Sequence, residues 1–132
     1  MFDEVSKLFG VKETDPIFYT YGDTIFSPCG LVPTADLQRH EETHAEQQEH
    51  HPDVAKMWWA RYVQDQDFRI DQETEAYGEQ YRWYCQNEKR RDMRAKYLFQ
   101  IAKHLSGTMY GSIITHTEAM KRIREYVEMA GG

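Results

Sequence analysis

Thr34-Ala35-Asp36-Leu37-Gln38-Arg39-His40-Glu41-Glu42-Thr43-His44-Ala45-Glu46-Gln47-Gln48 decides how this chain is organised. Pro33 precedes it, Thr34 or Asp36 can cap a helix, and the next breaker is Pro52, so a helix is expected to run through the His/Glu cluster. On that helix His40 and His44 lie four residues apart and project from one face. Two imidazole nitrogens can then reach a single ion about 2 Å from each. Glu41 falls beside the open position of such an ion, where a carboxylate can take a proton from water and pass it to a leaving amine.

The pentad alone is weak, because His and Glu are abundant in this sequence. A third carboxylate strengthens it. Glu73 sits on a later helix, expected from about Phe68 to Asn87, with Ile70, Ala76, Tyr77, Gln80, Tyr81 and Tyr84 spaced three and four apart on the same face. Ala76, three residues on, lets two helices approach closely enough to share a metal. Glu75 is the reserve ligand if that helix is rotated.

Upstream, Ile17-Phe18-Tyr19-Thr20-Tyr21 and Thr24-Ile25-Phe26 flank the turn signal Gly22-Asp23 and read as a β-hairpin. Ser27-Pro28-Cys29-Gly30 is a breaker-rich loop. Downstream, Val54, Met57, Trp58 and Tyr62 form an apolar stripe on a helix that starts at Pro52 or Asp53, and Asp65-Gln66-Asp67 interrupts it. A basic helical segment from Lys89 to Arg94 gives way to the stripe Tyr97, Leu98, Ile101 and Leu105. Ser106 to Ser112 reads as a flexible loop, and Thr115-His116-Thr117-Glu118 has the form of a capping box for a last helix ending near Gly131. The fold class is therefore α+β: a small N-terminal hairpin or sheet packed on three to four helices, in one domain spanning 1–132.

Composition narrows the partners. The chain has 132 residues, 14% aromatic, with nine tyrosines, so Tyr, Trp, Phe and Met must fill much of the core. A formal net charge of -6 opposes nucleic-acid binding, since a polyanion would be repelled. Cys29 and Cys85 show no Cys-x-x-Cys spacing and are expected to be buried free thiols. Met1-Phe2-Asp3-Glu4-Val5 lacks a basic region and an apolar region, and no stretch reaches transmembrane length, so no signal and no membrane partner are expected.

At His40-Glu41-x-x-His44 and Glu73-x-x-Ala76 the sequence resembles the gluzincin metallopeptidases. The resemblance implies a minimal zincin-like fold, Zn2+ held by His40, His44 and Glu73, Glu41 as general base, and hydrolysis of a peptide or protein substrate. The chain also looks like small metallopeptidase-like proteins of bacteriophages, through Gly22-Asp23-Thr24-Ile25, His40 to Gln48, Trp58-Trp59, Phe68-Arg69 and Met109-Tyr110-Gly111. That likeness implies work in the host cytoplasm, or association with a virion. Glu42 and Glu46 depart from the pattern, standing where uncharged residues are usual on the buried flank, with Arg61 and Arg69 as candidate partners.

Other residues carry two readings. Tyr110 can donate its hydroxyl to an oxyanion, as a Tyr or His does in some zincins, or pack on the core. His116 can do the same or cap its helix. His50-His51 and His104 read as helix-end residues. Trp58-Trp59 either line a pocket or split between core and surface, and the hairpin edge can pair with an extended peptide or be covered. The Tyr110 loop or the C-terminal segment can cover the cleft. Two rival accounts stand beside hydrolysis. One is a non-catalytic zinc tying helices together in a structural or partner-binding protein, with a fourth ligand from His104, His116 or Glu75. The other is a helix without metal.

Overall fold

The computed structural model describes residues 17–27 and 30–131. Cys29, Pro28 and the stretch Met1 to Val5 lie outside the described residues. Two strands, β1 (Tyr19–Tyr21) and β2 (Thr24–Phe26), are followed by helices α1 (Ala35–Gln47), α2 (Pro52–Gln64), α3 (Gln66–Asn87) and α4 (Arg91–Leu105), a 3-10 turn (Thr108–Tyr110) and α5 (His116–Met129). The structure is thus mixed, with a small antiparallel sheet and five α-helices among the described residues, one or two more than expected.

The hairpin pairs Tyr19 with Phe26 and Tyr21 with Thr24 around Gly22-Asp23. Gly22 has φ +66, a left-handed value that costs glycine little. A Cβ there would also approach the Pro52 nitrogen to 3.3 Å, so the turn is seated against the start of α2. The strand is shorter than expected. Ile17 and Phe18 have no ladder partner among the described residues, and past Phe26 a turn sets Gly30 N donating to Ser27 O at 3.0 Å.

Helix α1 starts after Thr34 as expected but stops at Gln47, ahead of Pro52. Glu49 and His50 take positive φ, 54° and 53°, and the fully buried Gln48 side chain is committed to the hairpin. It accepts from Gly22 N at 2.6 Å and donates to Thr20 O at 3.0 Å, so the amide behaves like a piece of strand backbone. His51 caps α2 by accepting from Asp53 N at 3.1 Å, with Pro52 in the first turn.

The expected α2 stripe is rotated. Met57 is 76% exposed, and Ala55, Trp58 and Tyr62 form the buried line instead. The interruption expected at Asp65-Gln66-Asp67 is confined to Asp65, where the chain turns a corner between α2 and α3. Asp65 ends one helix through its N–H to Arg61 O at 2.7 Å, and caps the next by accepting from Phe68 N at 3.0 Å.

Helix α3 crosses the molecule, packing on α1, α4 and α5. Ala76 is fully buried, and a Cβ on Gly78 would lie 2.1 Å from the Tyr126 ring, so glycine permits the close α3–α5 approach. The Arg94 guanidinium closes the C-terminal end of α3, donating to Cys85 O at 2.5 Å and to Glu88 O. Cys85 is free but only half-buried, short of the burial expected of it. Thr115 caps α5 by accepting from Glu118 N at 3.1 Å. The core is built from Trp58, Tyr62, Ile70, Tyr77, Leu98, Ile101, Leu105, Tyr110 and Ile123, rich in rings as the composition required. Among the described residues no helix is long and apolar enough to cross a membrane.

Candidate metal centre

The buried face of α1 carries His40, Glu41, Thr43 and His44 toward α3, whose buried face carries Glu73. The three candidate ligands meet. Glu73 Oε1 lies 3.1 Å from His40 Nε2 and 3.1 Å from His44 Nε2, and the two Nε2 atoms are 3.2 Å apart. All three side chains are buried. Glu75 does not join them; it is half-buried and accepts from Gln47 Nε2 at 2.9 Å.

The outward ring atoms determine what the inward ones can be. His40 Nδ1 is 2.9 Å from Gln80 Oε1, and His44 Nδ1 is 2.8 Å from Gln47 Oε1. Each glutamine has its amide orientation fixed by what its nitrogen donates to. Gln80 Nε2 donates to the Tyr97 hydroxyl at 2.8 Å, and Gln47 Nε2 to Gln72 O at 3.0 Å as well as to Glu75. Both histidines therefore donate from Nδ1 and turn Nε2 inward, where its lone pair can take a metal or, without one, a proton, the arrangement outer partners impose on metal-binding histidines. Two imidazole lone pairs and a carboxylate oxygen converging out of water repel one another unless a cation lies among them.

The size of the triangle suits a metal. Atoms 3.1 to 3.2 Å apart make one face of a tetrahedron whose centre is about 1.9 Å from each, close to the ~2.0–2.2 Å of zinc–nitrogen and zinc–oxygen bonds. The group can hold a metal ion, and among the described residues no fourth His, Cys, Asp or Glu joins it.

Without a metal, the charges rearrange around a proton. Burial pulls the His44 pKa down, but the adjoining Glu73 carboxylate outweighs it and pushes it up to about 9. Burial likewise raises Glu73, but His44 and His40 hold it well below the usual carboxylate range. Glu41 is raised, chiefly by burial, against the pull of His40 and His44. The Thr20 hydroxyl shares its proton between the Glu41 carbonyl oxygen at 3.0 Å and Glu41 Oε1 at 3.2 Å, while Oε2 stands 3.6 Å from His40 Nε2, beside the triad.

A cavity of ≈ 40 Å³ adjoins the triad, walled by Phe18, Trp59, Tyr62, Met109 and Tyr110 among others. Tyr110 is there, but it does not swing free on a loop. It ends a 3-10 turn, its carbonyl accepts from Arg69 Nη1 at 3.0 Å, and its hydroxyl shares a hydrogen bond with Tyr77 at 2.8 Å. Burial, then Glu73, keeps the Tyr110 hydroxyl protonated. Trp59 is half-buried against this cavity and donates to Thr20 O at 2.9 Å, so the pair does not split between core and surface. On the far side of His40 and Glu41 a larger groove of ≈ 320 Å³ runs past Leu37, Tyr97, Ile101 and His104, sharing Ile17, Phe18, Met109 and Tyr110 with the smaller cavity.

Glu42 and Glu46 are not on the buried flank. Their side chains are 47% and 54% accessible, and Arg39 is their partner, at 3.8 and 2.8 Å. Helical spacing puts Arg39, Glu42 and Glu46 on the face opposite the histidines. Arg61 instead pairs with Asp65 and lies over the Phe68 ring, while Arg69 donates to the Tyr62, Val63 and Tyr110 carbonyls. His50, His51 and His104 are exposed, and the His116 ring is bonded to Phe99 O at 2.8 Å; none joins the triad.

Gln47, Gln80, Thr20 and the Tyr62 hydroxyl escaped notice as site residues. Spacing could have raised the first two: Gln47 is three residues after His44, and Gln80 is seven after Glu73 on the same helix face. No family model, no curated protein and no solved structure matches this chain.

Proposed function

We propose that this chain is a zinc-dependent peptidase with a minimal zincin-like architecture. The observation that carries the proposal is the convergence of two imidazole Nε2 atoms and one carboxylate oxygen at 3.1 to 3.2 Å, with a second carboxylate beside them. A nitrogen-rich, mixed donor set with three protein ligands is the catalytic pattern for zinc, where structural sites usually have four. Zinc there would supply Lewis acidity toward a carbonyl oxygen and lower the pKa of water.

The remaining chemistry belongs to the chain. Thr20 lies against Glu41 on the Oε1 side, sharing its proton with the Glu41 carbonyl oxygen, and Oε2 is left to take the proton of an attacking water and return it to the leaving amine. Tyr110 stays protonated and can donate to the oxyanion that develops on the carbonyl. Peptide would arrive through the larger groove, because ≈ 40 Å³ beside the triad has room for a water or so and no more. That same closeness favours a second reading, a non-catalytic zinc that pins α1 to α3.

Glu41→Gln separates the two. The variant should keep the metal content of the parent and lose about 10²- to 10⁴-fold in hydrolysis of an unfolded protein substrate. A parent that binds zinc yet hydrolyses nothing would leave only the structural reading, and a variant as active as an active parent would remove Glu41 as the base.

A further inference from the structure

Glu73 offers two carboxylate oxygens, and only one faces the histidines. Oε1 is 3.1 Å from both Nε2 atoms, whereas Oε2 accepts from the Tyr62 hydroxyl at 2.7 Å. Tyr62 is buried, and its ring is held on several sides. It stacks on Trp58 at 4.9 Å with 25° between planes and meets the Trp59 edge at 4.9 Å. Its own carbonyl accepts from Arg69 Nε at 2.9 Å, and the Arg69 guanidinium carbon lies 5.6 Å from the ring centre. The hydroxyl is thus delivered to one place by aromatic packing and a buried arginine.

We propose that Tyr62 is a positioning residue that restricts Glu73 to a single metal-binding oxygen and so keeps a coordination position open. The inference rests on the metal site proposed above. A carboxylate whose second oxygen is buried and without a donor has one favourable recourse, to bind the cation with both oxygens. The Tyr62 hydroxyl removes that recourse. An ion bound through His40, His44 and one oxygen of Glu73 has three protein bonds and room for water or a carbonyl oxygen; a two-oxygen Glu73 would occupy part of that room. A purely structural site would gain nothing from such restraint.

The test is cobalt(II) titration of metal-free protein followed by visible absorption, since the bands of a four-coordinate cobalt ion are more intense than those of a five- or six-coordinate one. Tyr62→Phe keeps the ring and deletes the hydroxyl. Its cobalt bands should weaken and shift to higher energy, and its metal affinity should fall by about 10- to 100-fold. Tyr126→Phe is the control, because it deletes a hydroxyl that donates at 2.7 Å to Glu79 on the same helix, away from the triad, and it should leave the spectrum as it is. Should Tyr62→Phe fail to fold, infrared difference spectra of the parent with and without metal report the same quantity. A wide splitting between the two carboxylate stretches, as one-oxygen binding gives, supports the inference. Parent-like cobalt bands in Tyr62→Phe, equal changes in both variants, or a narrow splitting in the parent would overturn it. A parent that takes up no cobalt fails earlier, at the metal site itself.

Discussion

With no metal bound, raising the pH should destabilise this protein in a window set by His44. In the metal-free chain the His44 pKa is pushed up to about 9, from an unfolded value of 6.5, because the proton it carries answers the Glu73 carboxylate 3.1 Å away. A histidine whose folded pKa is raised contributes stability that is complete below the unfolded value and lost as pH climbs through the folded one. The window is therefore about 6.5 to 9. A difference of about 2.5 units at 1.36 kcal/mol each amounts to about 3 kcal/mol, to be lost across it. The Glu73 shift is the same charge pair seen from its acid side and is not added. Urea unfolding at fixed pH in chelator reads the effect, with His44→Gln as the reference that lacks the titrating ring. The parent should lose stability relative to His44→Gln between pH 6.5 and 9, and saturating zinc should flatten the loss, because the metal takes the place of the proton. A metal-free parent whose stability runs parallel to that of His44→Gln, or rises with pH, would refute the reasoning.

Gln80→Ala removes the acceptor of His40 Nδ1 and leaves the Tyr97 hydroxyl with one partner fewer, so zinc affinity measured by chelator competition should fall by about 10- to 100-fold while the helical circular dichroism signal is retained. Gly78→Ala places a Cβ 2.1 Å from the Tyr126 ring and should cost about 1–3 kcal/mol in urea unfolding without changing metal content, since the clash lies between α3 and α5.

The elements nearest the chemistry were the most legible. The hairpin turn at Gly22-Asp23, the start of α1 after Thr34, the cap at Thr115, and the shared face of His40 and His44 all follow from local stereochemistry, and local stereochemistry is what a sequence displays; the Thr34 side chain itself caps nothing and donates to Asp36. Glu73 was legible because a lone carboxylate in an apolar line of a helix calls for a partner. The rest depended on contacts made far along the chain. Met57 and Ala55 are both compatible with the periodicity of α2, and only the packing of Trp58 and Tyr62 selects the face. The end of α1 at Gln47 follows from Gln48 being drawn to Gly22 and Thr20, more than twenty residues away. Glu42 and Glu46 looked like buried charges in need of Arg61 or Arg69. Arg39, on their own helix, met that need once the rotation of α1 was known. The hydrogen bonds that orient the candidate ligands can be suspected from spacing, but they become definite only when α1 and α3 are brought together.

The measurement that bears most directly on the central claim is elemental analysis of the chain and of Glu73→Ala, both purified without chelator. One zinc per parent chain and a large loss of metal in the variant are expected, because removing Glu73 leaves two imidazoles with no charge to offset the ion's. No bound metal in the parent, or the same zinc content in both proteins, would contradict it.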